Sequence, residues 1–119
     1  MRCFESAVRH LDADGISVIK AAVPSAWLPS NQYVNAERVE AGNVVLDVCR
    51  YDPATQILDE NHVRLDRDGV ALSPISCRLA WPTELDLMAR LAGMRLDRWG
   101  GWEREHYPGE GKHVSVYGR

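Results

Sequence analysis

The side chains best suited to proton transfer, metal ligation or nucleophilic attack in this sequence are four histidines and three cysteines. Cys3, Cys49 and Cys77 are far apart and odd in number. They form no CxxC and no zinc spacing with the histidines, so they read as reduced thiols, partly core. His106 closes the charge run Glu103-Arg104-Glu105-His106, a solvated turn, and lies too far from His113 to suggest a metal. His62 stands between Glu60 and Arg64, as a solvated strand histidine would. Arg78 lies between Cys77 and Leu79 and either clamps an acidic group or pairs at the surface. Gly100-Gly101 and Gly109-Glu110-Gly111 open no helix, so neither makes a phosphate or cofactor loop.

Positioning these groups takes one domain's worth of chain, since 119 residues suit a single modest core. Hydrophobic residues at 45% and charged ones at 26% exclude wholesale disorder. A net charge of -3 and a pI near 5.8 give no nucleic-acid footprint. No apolar run approaches the roughly 20 residues of a membrane helix. The opening MRCFESAVRHLDADG lacks the basic-then-apolar order of a leader. A cytoplasmic location follows as the expectation.

Phe4, Ala7, Val8 and Leu11 form one stripe of an amphipathic helix, stopped by an Asp14-Gly15 turn. No Ser, Thr, Asp or Asn cap precedes it, so either the helix frays at a bare terminus or the reading frame begins inside a longer element. Residues 16 to 24 are almost continuously apolar and β-branched, which predicts a strand buried on both faces of a parallel sheet. Such a strand with one covering helix needs neighbours. Residues 24 to 42, with Pro24, Pro29, Asn31 and Gly42, read as an ordered loop that embeds Trp27 and Tyr33. Strands follow at 43 to 51, 56 to 66 and 70 to 81, joined by short Asp-, Pro- and Gly-rich turns that favour antiparallel hairpins. Thr83 through Asp86 offers a capping sequence for a helix ending at Gly93. Residues 95 to 103 and 112 to 119 complete the set as strands.

Three motifs in this order resemble the C-terminal half of class I S-adenosylmethionine-dependent methyltransferases of the small-molecule type. Arg9-His10-Leu11-Asp12-Ala13-Asp14-Gly15 before an apolar strand is similar to that family's HLxPGG turn, with Ala13 and Asp14 as departures. Glu84-Leu85 through Leu91-Ala92-Gly93-Met94 resembles its EL…LL…AGF helix, with Met94 for the usual Phe. Trp99-Gly100-Gly101-Trp102 followed by His113-Val114-Ser115-Val116-Tyr117 resembles its closing hairpin. The resemblance implies an α/β fold: the C-terminal portion of a seven-stranded Rossmann-like sheet. Residues 16 to 23, 95 to 102 and 112 to 118 become its fifth, sixth and antiparallel seventh strands. The three strands of 43 to 81 become an antiparallel insertion on the acceptor side of a single partial domain spanning 1 to 119.

The resemblance further implies S-adenosylmethionine as cofactor and a small-molecule acceptor. The family's Gly-rich cofactor turn has no counterpart here, so the isolated chain is expected to be inactive, as a truncated or split gene product. In-line methyl transfer sometimes needs a base. His62 is the histidine within the insertion and becomes the catalytic candidate. Trp27, Tyr33 and Arg78 become the acceptor-binding candidates, and no cofactor or metal ligand is assigned. Two alternatives stay open: a stand-alone α+β module closing a curved sheet around a small ligand, and an interaction subunit. The latter would pair strand 16 to 23 with a second copy or with a separately encoded N-terminal half.

Overall fold

A computed structural model describes residues 2 to 24 and 28 to 119. Trp27 lies outside the described residues. The elements are α1 (Arg2–His10), β1 (Ile16–Ala22), β2 (Gln32–Glu40), β3 (Asn43–Asp52), β4 (Ile57–Asp66), β5 (Gly69–Arg78), α2 (Pro82–Leu91), β6 (Arg95–Trp99) and β7 (Lys112–Gly118). They divide into two compact units, residues 1 to 27 with 80 to 119, and residues 28 to 79.

The first unit carries a three-stranded sheet ordered β1-β7-β6 with both helices. Phe4, Ala89, Met94 and Tyr117 are its buried centre, and Val8, Leu11, Ile19, Leu85 and Leu96 pack around them. The helical stripe read from the sequence is therefore the face that α1 buries. Gly15 makes the turn after it possible: a Cβ there would lie 2.9 Å from that of Leu11, while its amide bonds Asp12 O at 3.0 Å. β1 pairs with β7 from Ile16↔Gly118 to Ala22↔Lys112, and β6 pairs with β7 from the other side, all antiparallel. Among the described residues β1 has no parallel partner. Its burial alternates instead of being double-sided, with Ile16 and Val18 exposed. That is the pattern of a sheet covered on one face. The expected cap of α2 is also absent: Trp81 is the N-cap and makes no side-chain capping hydrogen bond, and Asp86 is engaged by Arg98. β6 stops at Trp99, before the Gly100-Gly101 bend.

The second unit is an antiparallel meander, β2-β3-β4-β5. It has four strands, not three, because residues 32 to 40 of the expected loop form β2. Two-residue turns, Ala41-Gly42 and Arg67-Asp68, join β2 to β3 and β4 to β5. Asp52 closes the third turn by accepting from the Ala54 amide and the Thr55 hydroxyl, both at 2.9 Å. β2 is bulged between Ala36 and Arg38. Beyond the bulge Val39 pairs with Val44, so it shares a face with Val34 despite the odd spacing.

Candidate functional site

Directly opposed residues of antiparallel strands share a face. Register therefore decides which groups meet. One row of the meander runs Tyr33, Cys49, Glu60, Ile75 and the next runs Asn35, Asp47, His62, Ser73. Tyr33 and His62 are thus brought together, and Asp47, Cys49 and Glu60 join them. His62 Nδ1 meets Asp47 Oδ1, a buried oxygen with no hydrogen bond besides that ion-pair contact, and His62 Nε2 lies 3.2 Å from Glu60 Oε1. The Cys49 thiol donates toward the second oxygen of Glu60 at 3.6 Å. The Asp47 side chain is 12% exposed and that of His62 43%, so a held carboxylate backs a ring that solutes can reach.

The electrostatics are those of a cluster rich in carboxylates. Burial holds the Tyr33 hydroxyl well above its ordinary value, helped by the hydrogen bond to Cys49 and by the charges of Glu60 and Asp47. Burial likewise pushes the Cys49 thiol up. Both stay protonated near neutrality and act as donors, not nucleophiles. The carboxylates accept, and the His62 ring lies between them. Asp47, Glu60 and His62 also present ligand atoms within 4.8 Å of one another, a set that a first-row divalent ion would accept.

Arg78 is not part of this cluster. It opposes Ile57, an odd number of residues from the row of His62, and so lies on the other face, where it donates to Gln56 at 2.8 Å. Asp47, Cys49 and Glu60 were missed from sequence because their meeting depends on register. A signal existed: Asp47 interrupts the apolar run VVLDVC, where a carboxylate needs a partner.

The first unit holds a second polar cluster. Asp86 takes two hydrogen bonds from Arg98, at 3.0 and 2.5 Å, and Arg98 Nε donates to Ser115 at 2.8 Å. The ring of His113, 1% exposed, meets the Ser115 hydroxyl at 2.9 Å, with Tyr107 edge-on at 5.6 Å. Burial first, then the Arg98 charge, depresses the His113 pKa below 6.5. The unfolded chain then binds this proton more readily than the folded one. Stability from this residue is complete above about pH 6.5 and is lost as the pH falls below it. Urea midpoints should drop between pH 7 and pH 5.5, and His113→Phe should flatten that drop; an unchanged profile would count against a neutral buried ring.

No protein-family profile matches the chain, and no curated protein matches it. Solved structures do. The CcbJ methyltransferase of Streptomyces caelestis is 32% identical over 98% of this chain and 51% of that one, at a TM-score of 0.86. An S-adenosylmethionine-dependent methyltransferase of Clostridium acetobutylicum is 7% identical over 97% and 48%, at 0.74. CalS10, an amino pentose methyltransferase of Micromonospora echinaspora with S-adenosylmethionine bound, is 20% identical over 95% and 48%, at 0.55. The two below 25% identity establish the fold, that of a methyltransferase fragment. The chain spans about half the length of each.

Proposed function

We propose that this chain is the acceptor-side portion of a class I S-adenosylmethionine-dependent methyltransferase whose acceptor is a small amine, an amino sugar being the class that fits. The observation that carries the reading is His62 set between Asp47 and Glu60 on the open meander. Two carboxylates in a partly buried site favour a cationic ligand. In this reading Glu60 receives the acceptor ammonium, Asp47 fixes the imidazole, and His62 Nε2 takes the proton that the amine must lose before it is nucleophilic. Tyr33, kept protonated, donates to an acceptor oxygen. The likeness to CalS10, whose acceptor is an amino pentose, agrees with this assignment.

The cofactor supplies an electrophilic sulfonium methyl. The described residues do not fit it: among them no glycine-rich turn leads from a strand into a helix, since α1 precedes β1 and α2 is entered through Trp81 and Pro82. Its site would belong to the portion of the matched structures outside the half spanned here, and the chain alone would be inactive. β1, β6 and β7 would then be the fifth, sixth and seventh strands of a seven-stranded Rossmann-like sheet, with further strands adding along the open edge of β1. A cytoplasmic location agrees with the fact that no helix among the described residues is long and apolar enough to cross a membrane.

Nitrogen-15 NMR titrations of the 119-residue chain test the reading. A free amino pentose should shift the amides of Tyr33, Asp47, Glu60 and His62, whereas S-adenosylmethionine should shift none. Glu60→Gln should weaken the amine about tenfold, the scale of one charge-assisted hydrogen bond. Saturable cofactor binding, or amine shifts indifferent to Glu60→Gln, would overturn the assignment.

A further inference from the structure

The cluster around His62 has a capacity that binding an amine does not use. Asp47 lies on β3, and Glu60 and His62 on β4, the two inner strands of the meander. Hydrogen-bonded ladders on both sides therefore fix their backbones. One ligand atom from each side chain falls within 4.8 Å of the other two. His62 Nε2 and Glu60 Oε1, 3.2 Å apart, already have the spacing of neighbouring ligands on one ion. That spacing is roughly 3.0–3.4 Å for bonds of about 2.0–2.2 Å.

A second observation points into the same place. Asp47 is 9% exposed, and its buried Oδ1 makes no hydrogen bond. The His62 ring faces that oxygen as an ion-pair contact, with Glu60 at the ring's other nitrogen. Buried charges pair or coordinate metals. Beside a neutral ring the two carboxylates carry two negative charges, which a divalent cation balances and a single proton does not. The Cys49 thiol donates toward Oε2 of Glu60, which orients that carboxylate and leaves Oε1 for the ion.

We infer that Asp47, Glu60 and His62 hold a zinc-class divalent ion, and that this ion and the acceptor amine exclude one another. One imidazole with two carboxylates suits Zn²⁺, Co²⁺ or Ni²⁺, whereas Mg²⁺ and Ca²⁺ favour shells made of oxygen alone. Three protein ligands leave the remaining positions to water, and the 43% exposure of the His62 side chain opens a way in. The exclusion rests on the proposed reading of Glu60 as the ammonium acceptor and His62 as the base. Both give the ion the lone pairs that the amine would need, so zinc acts as a competitive brake on acceptor binding.

Calorimetric titration of the 119-residue chain with zinc chloride is the test, followed by the amino pentose with and without zinc. One zinc per chain is expected, with no heat from magnesium chloride. In the wild-type chain zinc should shift the ring signals of His62 and not those of the buried His113. Asp47→Asn, Glu60→Gln and His62→Gln should each weaken zinc at least about a hundredfold, the upper end for losing even an outer-shell partner, with the far-UV spectrum unchanged. Cys3→Ser/Cys77→Ser, which removes the two exposed thiols, should leave zinc binding intact. A chain that takes no zinc would overturn the inference. So would zinc that is lost with the two thiols and kept in the three cluster variants, or amine shifts that persist with zinc bound. Amine shifts in a chain that takes no zinc would sink the ion site and leave the acceptor reading standing. Zinc bound at His62 in a chain that shows no amine shifts would do the reverse, and would remove the exclusion with it.

Discussion

Arg98→Met is expected to destabilise the chain by about 3 kcal/mol, near the low end of the 3–5 kcal/mol seen when one partner of a buried ion pair is removed. The low end applies because Asp86 keeps 19% of its side chain in solvent while Arg98 keeps 11%. The loss arises from what stays behind. Asp86 on α2 now takes two guanidinium bonds, and Ser115 takes a third. Methionine fills the volume but leaves that carboxylate without its main donor in a partly dry site. Against a total of about 5–15 kcal/mol for a domain, a loss of this size should move the urea midpoint by more than 1 M. Far-UV circular dichroism would read it. The double variant Asp86→Leu/Arg98→Met should recover most of the loss, since two apolar groups of similar size leave no buried charge. If the double variant were as unstable as the single one, packing around Arg98 and not its charge would be the cause.

This ion pair lies on the illegible side of the sequence, and the reason is physical. Local pattern carried α1, the Gly15 turn and the β3 to β5 hairpins, because each depends on residues near in sequence: the stripe Phe4, Ala7, Val8, Leu11 and the turns at Asp52-Pro53 and Asp68-Gly69. β2 was hidden. Its flanking prolines read as loop, and the bulge after Ala36 shifts Val39 out of the alternation begun by Val34. Within this chain β1 buries one face only, which its composition does not reveal. In the site, His62 and Tyr33 were visible as residue types, but Asp47, Cys49 and Glu60 became partners through register alone. Asp86 shows the same limit in the other unit: its place near a helix start suggested a cap, and a tertiary partner 12 residues away claimed it.

Tyr117→Ala should be the most damaging single truncation, costing about 3–5 kcal/mol, the range for emptying a large aromatic site. Tyr117 is fully buried on the central strand β7, and its ring meets Phe4 of α1 edge-on, with centroids 5.1 Å apart and planes at 82°. It closes the core formed with Ala89 and Met94, so its loss leaves a cavity that neither helix can fill without moving off the sheet. Its hydroxyl matters less. It reaches Asp86 and Arg98 at 3.4 Å each, beyond the usual range for strong hydrogen bonds, so Tyr117→Phe should cost about 1 kcal/mol. Paired urea titrations would therefore separate packing from polarity. Phe4→Ala combined with Tyr117→Ala should cost less than the two alone added together, because each removes the other's partner. If Tyr117→Phe proved as harmful as Tyr117→Ala, the polar cluster around Arg98, and not the aromatic contact, would be what holds α1 and α2 on this sheet.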